Sequence, residues 1–128
     1  TNLSNIFNNE FKNVDGLRIA LPPDHIKHAY YKYYVFVEPE KLKSEKKRDF
    51  IMNSLNDLGI PCYSGSCSEI YKEKAFDKIF EENGKPSLIN ARELGETSLM
   101  FLVHPTMDED DIHRIAEQTK KILKNCVR

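Results

Sequence analysis

The sequence predicts an α+β domain in two layers, a small and mainly antiparallel sheet with helices packed on one face. Three observations predict it. The stretch His28 to Val37, HAYYKYYVFV, is dense in the aromatic and β-branched residues that suit a pleated surface. Leu99 to Val103 is apolar throughout, which fits a central strand buried on both sides. After Pro105, apolar residues recur at helical spacing as Ile112, Ile115, Ala116, Ile122 and Leu123, the stripe of a helix lying on a sheet.

At the N-terminus, Leu3, Ile6, Phe7 and Phe11 have helical spacing, with Asn2 or Ser4 available as a cap. Asp15-Gly16 breaks that helix, and Leu17 to Leu21 reads as a short strand ended by Pro22-Pro23. In the strand predicted from His28, alternation places Ala29, Tyr31, Tyr33, Val35 and Val37 on one face. Tyr30, Lys32, Tyr34 and Phe36 fall on the other. Both faces are largely apolar or aromatic, so something beyond a single layer of helices is expected over the second.

The charged stretch from Glu38 to Asp49 reads as a solvated connection. Ser44 is placed to cap a helix through Leu58, with Ile51, Leu55 and Leu58 as its stripe and Gly59 as its left-handed stop. Ile60 to Tyr63 is short enough for a strand. Ser68 is placed to cap a helix through Phe80, with Ile70, Phe76, Ile79 and Phe80 on its apolar face and Asn83-Gly84 beyond its end. A short helix is expected from Asn90 to about Glu96. For the last helix, Thr106 and Glu109 have capping-box spacing, Asp108, Asp110 and Asp111 suit its start, and Lys120, Lys121 and Lys124 suit its end.

A chain of 128 residues is long enough for one core and short for a two-domain enzyme. Lys and Arg number 19 against 20 Asp and Glu, and this balance argues against a dedicated binder of nucleic acid or anionic membrane. No apolar run approaches the roughly 20 residues that span a bilayer, and no basic-then-apolar leader opens the sequence, so a cytoplasmic location is expected. Cys62, Cys67 and Cys126 are odd in number and lack framework or metal-ligand spacing, which fits free thiols and no metal site.

Three blocks in order carry a family resemblance: HAYYKYYVFV at His28 to Val37, LGIPCYSGSCSEIYKEKAF at Leu58 to Phe76, and NARELGETSLMFLVHPTM at Asn90 to Met107. With the helices between them they cover nearly the whole chain. Together they resemble the C-terminal small domain of the DegT/DnrJ/StrS sugar aminotransferases, which use pyridoxal phosphate. The resemblance implies an α+β small domain of a fold-type I aminotransferase over residues 1–128, with residues 1–13 ending an interdomain helix. It also implies amino transfer from glutamate to a keto sugar carried on a nucleotide, for polysaccharide or glycan synthesis, in a homodimeric parent enzyme.

Such enzymes keep the cofactor's lysine, its acidic partner and its phosphate donors in a large domain of the same polypeptide. The resemblance therefore implies no catalytic or cofactor-binding residue in this chain, no cofactor bound to it alone, and no activity alone. What it assigns here is the substrate side of the cleft. His28 matches the first position of a His-x-aromatic-His pattern, and Tyr31 stands where a second histidine often sits. A hydrogen-bonded structural role for His28 stays open beside the ligand role.

The Ser64-Gly65-Ser66-Cys67-Ser68 loop offers hydroxyls and backbone amides to a sugar or phosphate through Ser64, Ser66 and Ser68, with Glu69 and Tyr71 extending its polar reach. A turn whose last serine caps a helix is the plainer alternative. His104 before Pro105 is a further candidate on the cleft, against a strand-end histidine held by its own turn. Lys32 draws notice for its place in the aromatic strand, and Arg18 and Arg92 for the fit of guanidinium to carboxylate or phosphate. A free-standing α+β binding module is the alternative, because fold alone does not fix function. A small RNA-binding domain on the aromatic strand is disfavoured by the charge balance.

Overall fold

The computed structural model describes residues 2–82 and 84–128. Its helices are α1 (Asn2–Phe11), α2 (Arg48–Asp57), the single turn α3 (Asp77–Phe80), α4 (Ile89–Thr97) and α5 (Glu109–Cys126). Its strands are β1 (Leu17–Ile19), β2 (Lys32–Val37), β3 (Cys62–Tyr63) and β4 (Ser98–Leu102), in one sheet of order β1-β2-β4-β3. Every neighbouring pair is antiparallel. The predicted α+β architecture is the observed one, and β4 lies inside the sheet as its unbroken apolar run requires.

Helices α1, α2 and α5 cover one face. Tyr33, Val35 and Val37 of β2 and Leu99 and Phe101 of β4 point into this layer and are buried, as alternation requires. Phe7 stacks on Tyr33 with ring centroids 4.7 Å apart and on Phe101 at 5.6 Å. Phe11 joins the same aromatic group, 5.5 Å from Phe7. Ile51 and Leu55 of α2 and Ile112, Ile115, Ala116, Leu123 and Cys126 of α5 complete the core. Removing a fully buried aliphatic side chain such as Leu99 costs about 2–5 kcal/mol in such surroundings.

β1 stops at Ile19 and β3 starts at Cys62, and the larger departures from the predicted elements have causes both local and distant along the chain. β2 begins at Lys32 rather than His28, because Tyr30 adopts φ 45° and turns the chain out of extended geometry. Ala29 and Tyr31 are therefore not on the core face, and Tyr31 is 83% exposed.

Helix α2 begins at Arg48 rather than Ser44. Residues 41–43 are tied to the chain's end: Lys43 N donates to Cys126 O at 2.8 Å, Arg128 N donates to Lys41 O at 3.0 Å, and Leu42 bridges Val127. Those bonds hold the segment extended, and Ser44 Oγ contacts Glu45 instead of capping. The stop at Gly59 is as predicted, at φ 74°.

The helix expected from Ser68 to Phe80 breaks into two 3-10 turns, Ile70–Lys72 and Lys74–Phe76, before α3. Its supposed apolar face is not buried as a unit, Ile70 and Ile79 being exposed and Phe76 and Phe80 only half-buried, and a short helix does not persist on propensity alone. Asn83 lies outside the described residues. The capping box of α5 is formed by Asp108 and Asp111 rather than Thr106 and Glu109: Asp111 N donates to Asp108 Oδ1 at 2.9 Å and Asp108 N to Asp111 Oδ2 at 3.2 Å. The Thr106 hydroxyl is engaged by His104 Nδ1 at 2.8 Å.

Among the described residues no helix is long and apolar enough to cross a membrane.

Candidate functional site

The second face of the sheet is only partly covered, and candidate groups gather on and around it. Register sets its side chains in rows, with Tyr34 and Tyr63 flanking Met100, and Arg18 and Ser98 flanking Phe36. Met100 and Ser98 are buried, whereas Tyr63 is 48% exposed and Tyr34 and Leu102 are each 37% exposed. The Arg18 guanidinium lies 4.6 Å from the Phe36 ring centroid, a cation–π contact that holds it along the sheet.

The Ser64–Ser68 loop is fastened across this face by backbone groups. Ser98 Oγ donates to Ser64 O at 2.6 Å, and Gly65, at φ 91°, lies directly against the Tyr34 ring. Ser68 meets α4 so closely that a Cβ on Gly95 would stand 2.0 Å from its Oγ. Arg48, opening α2, donates from Nη1 to Gly95 O at 2.8 Å and to Ser98 O at 3.1 Å. A cation thereby satisfies carbonyls at the C-terminal end of α4, where the helix dipole favours it.

Ser66 and Ser68 are exposed, and Ser64 is half-buried with its carbonyl engaged. Tyr71 differs: it is buried, its hydroxyl donates to Glu69 Oε1 at 2.6 Å, and it accepts from Leu88 N at 3.2 Å. It ties the loop to the approach of α4. Lys72 and the Tyr71 hydroxyl hold the Glu69 carboxyl below its ordinary range. Arg92 is engaged with Ser87 Oγ at 3.1 Å and stands 3.8 Å from Glu69.

His28, Tyr31 and His104 form no cluster with the serines. Tyr31 immediately precedes β2 and His104 follows β4 closely, so both flank the end of the sheet where Lys32 pairs with Leu102. His28 Nδ1 accepts the Tyr30 amide at 2.9 Å, and Lys32 Nζ lies 5.4 Å from the Tyr31 ring centroid. The His104 ring also accepts from Thr106 N at 3.3 Å, so it is held by its own turn.

Sequence reasoning missed an open groove of about 740 Å³ beside the Arg18–Phe36 row, lined among others by Arg18, Glu38, Lys47, Arg48, Asn90 and Glu93. Of these, only Arg18 was a candidate from the sequence, for the fit of guanidinium to carboxylate or phosphate. Arg48 and Asn90 come together through the α2–α4 contact, which no spacing in the sequence encodes. The lining carries both signs of charge and singles out no anion or cation.

No described lysine has the surroundings of an amine nucleophile toward a carbonyl compound. A lysine serving as amine nucleophile is desolvated or set beside another cation, and no lysine is buried. Lys41 is shifted the other way, held up first by its hydrogen bond to Glu38 and then by Asp15. Burial pushes the Cys62 thiol up to about 12, and the exposed Cys67 thiol is raised by its hydrogen bond to Glu73. Among the described residues no group of three His, Cys, Asp or Glu side chains is disposed to hold a metal.

Comparison with known proteins finds relatives that are longer than this chain. The aminotransferase of Psychrobacter cryohalolentis is 37% identical, with a TM-score of 0.83 over 97% of this chain but 33% of its own. The Methanocaldococcus jannaschii protein MJ1066, itself uncharacterized, is 23% identical over 94% of this chain and 30% of its own length. An E. coli GDP-4-keto-6-deoxy-D-mannose-3-dehydratase with bound hydrated pyridoxal phosphate shares the fold at 19% identity and a TM-score of 0.74, over 92% of this chain and 29% of its own. The chain thus spans about a third of the length of these relatives. The model of the DegT/DnrJ/EryC1/StrS aminotransferases matches residues 1–120, and with nearly its whole length accounted for in this way, the chain belongs to that family.

Proposed function

We propose that this chain is the small domain of a nucleotide-sugar aminotransferase, forming the substrate side of a cleft whose other wall is a large catalytic domain of the same polypeptide. The chain is one domain, and α1 ends the helix that joins it to the large one. The observation that carries this reading is the pairing of a family match along nearly the whole chain with coverage of about a third of its relatives. The half-covered second face of the sheet supports it, since Tyr34, Tyr63 and Leu102 present apolar surface that helices α1, α2 and α5 do not cover.

The family is pyridoxal-phosphate-dependent, and when bound that cofactor carries an amino group between donor and acceptor. It does not fit on these residues, and we assign it to the large domain. In this chain the exposed hydroxyls of Ser66 and Ser68, the Tyr31 phenol and the His104 imidazole contact and orient the sugar nucleotide. Ser64 and Tyr71 fix the loop that carries the serines. The parent enzyme is a cytoplasmic homodimer, takes glutamate as amino donor and serves glycan or polysaccharide synthesis.

The test compares this chain with the longer polypeptide that contains it, each supplied with pyridoxal phosphate, glutamate and a nucleotide-linked keto sugar. Amino-sugar product from the longer protein and none from this chain is the expected result. Turnover by this chain alone overturns the division of labour, and no product from the longer protein with any such sugar overturns the activity.

A further inference from the structure

The turn that begins at His28 contains the chain's one described non-glycine residue at positive φ, Tyr30 at 45°. Such a conformation is strained for a bulky residue and persists only where its surroundings hold it. Here they do so from three sides. His28 Nδ1 accepts the Tyr30 amide at 2.9 Å, and the two rings lie with centroids 4.3 Å apart. On the helix side, Asn8 of α1 donates to the Tyr30 hydroxyl at 3.3 Å and accepts from the Tyr33 hydroxyl at 2.7 Å. The Tyr30 ring also stacks on Tyr33, with centroids 6.0 Å apart.

The bond from residue 30 back to the side chain of residue 28 has the pattern by which Asn and Asp side chains close a turn on the backbone two residues ahead. An imidazole does this only through an unprotonated Nδ1. The consequence is felt at the next residue: because Tyr30 turns the chain left-handed, Tyr31 leaves the core face that strand alternation would give it and stands 83% exposed beside Lys32.

We propose that His28 is a positioning residue, whose Nδ1 holds the left-handed Tyr30 turn and thereby presents Tyr31 and Lys32 outward as one aromatic-cationic contact element. This deepens the reading of the chain as the substrate side of a cleft and rests on that reading for what the element touches. It replaces direct ligation by the His28 imidazole with an indirect role, so that an amide side chain of the right reach can substitute for it.

The experiment is amide hydrogen exchange and backbone NMR of Tyr30 in the 128-residue chain, for the parent sequence, His28→Ala and His28→Asn. Loss of the bond in His28→Ala speeds exchange of the Tyr30 amide on the order of tenfold, the equivalent of a single net hydrogen bond, and moves its HN–Hα coupling away from the left-handed value. His28→Asn retains protection, because an asparagine oxygen accepts the same amide.

Equal exchange in all three proteins overturns the proposal, as does an asparagine variant that behaves like alanine. In the longer aminotransferase, His28→Asn is expected to keep KM for the sugar nucleotide while His28→Ala and Tyr31→Ala raise it, and a matched rise in His28→Asn and His28→Ala would mark the imidazole as the ligand and overturn the proposal. If the Tyr30 amide behaves as expected and the longer protein has no such activity, the turn stands and the functional reading fails.

Discussion

Gly65 lies flat against the ring of Tyr34: a Cβ on the glycine would stand 2.9 Å from Tyr34 Cε1 and 3.2 Å from its hydroxyl oxygen. The glycine's φ of 91° is also one that other residues rarely adopt. Gly65→Ala is therefore expected to destabilise the chain by about 1–3 kcal/mol in urea denaturation, from backbone strain and contact with the ring together. Adding Tyr34→Ala should recover the contact part only. A double-mutant cycle showing no coupling between the two positions would exclude the contact as a cause.

Arg48 is the polar tie between α2, α4 and β4. Arg48→Met leaves the carbonyls of Gly95 and Ser98 without their charged donor, at an expected cost of about 1.5–3 kcal/mol. Arg48→Lys should recover only part, because a lysine lacks the planar fork. Chemical denaturation of both variants checks this; a lysine variant as stable as the parent would show that charge alone suffices.

Only one of the three thiols is exposed, and it is muted. The thiolate is the reactive form, and the Glu73 carboxylate raises the Cys67 thiol first by accepting its hydrogen bond. Disulfide reagents should titrate Cys67 in the folded chain while burial protects Cys62 and Cys126. Glu73→Gln removes the group that holds the proton, so the reaction at neutral pH should speed up. A slower reaction would reverse the assigned cause.

Glu10 of α1 forms an ion pair with Lys120 of α5 and a hydrogen bond with His113 Nδ1 at 2.9 Å. Its carboxyl is held below the ordinary value, chiefly by the hydrogen bond from Lys120. A depressed carboxyl stabilises the fold above its unfolded value of about 4.3 and loses that contribution as pH falls through its lower folded value. Glu10→Gln should thus cost less than about 1 kcal/mol at pH 7 and progressively less below pH 4, as expected of a half-buried pair still screened by solvent. Thermal melts of both proteins across that range test the sign.

Elements whose burial pattern is complete within a few residues were legible in the sequence. The unbroken run at Leu99 to Val103 is a strand paired on both sides, and the Ile112–Leu123 stripe is a helix on the sheet. The stop at Gly59 is local backbone chemistry and also needs no distant partner. The starts of β2 and α2 were not legible, because each is decided by bonds between residues far apart in sequence. Asn8 reaches Tyr30 and Tyr33 across the first turn and strand, and Cys126 and Arg128 return from the end of the chain to hold residues 41–43 extended. The Ser68–Phe80 helix failed for the same reason: an apolar spacing specifies a helix only when a surface exists to bury it, and in this chain Ile70 and Ile79 meet solvent.

At the candidate site the division is similar. The sequence by itself determined the residue types, the serine loop, the aromatic strand and the family they belong to, because side-chain identity and spacing along the chain survive without coordinates. Only the tertiary structure decided that Tyr71 is an internal tie, that His28 faces the backbone of Tyr30, and that Arg48 meets the end of α4. Each of those outcomes depends on where a hydrogen-bonding group finds its partner in space, and that is set by how the helices and strands pack together rather than by the order of residues.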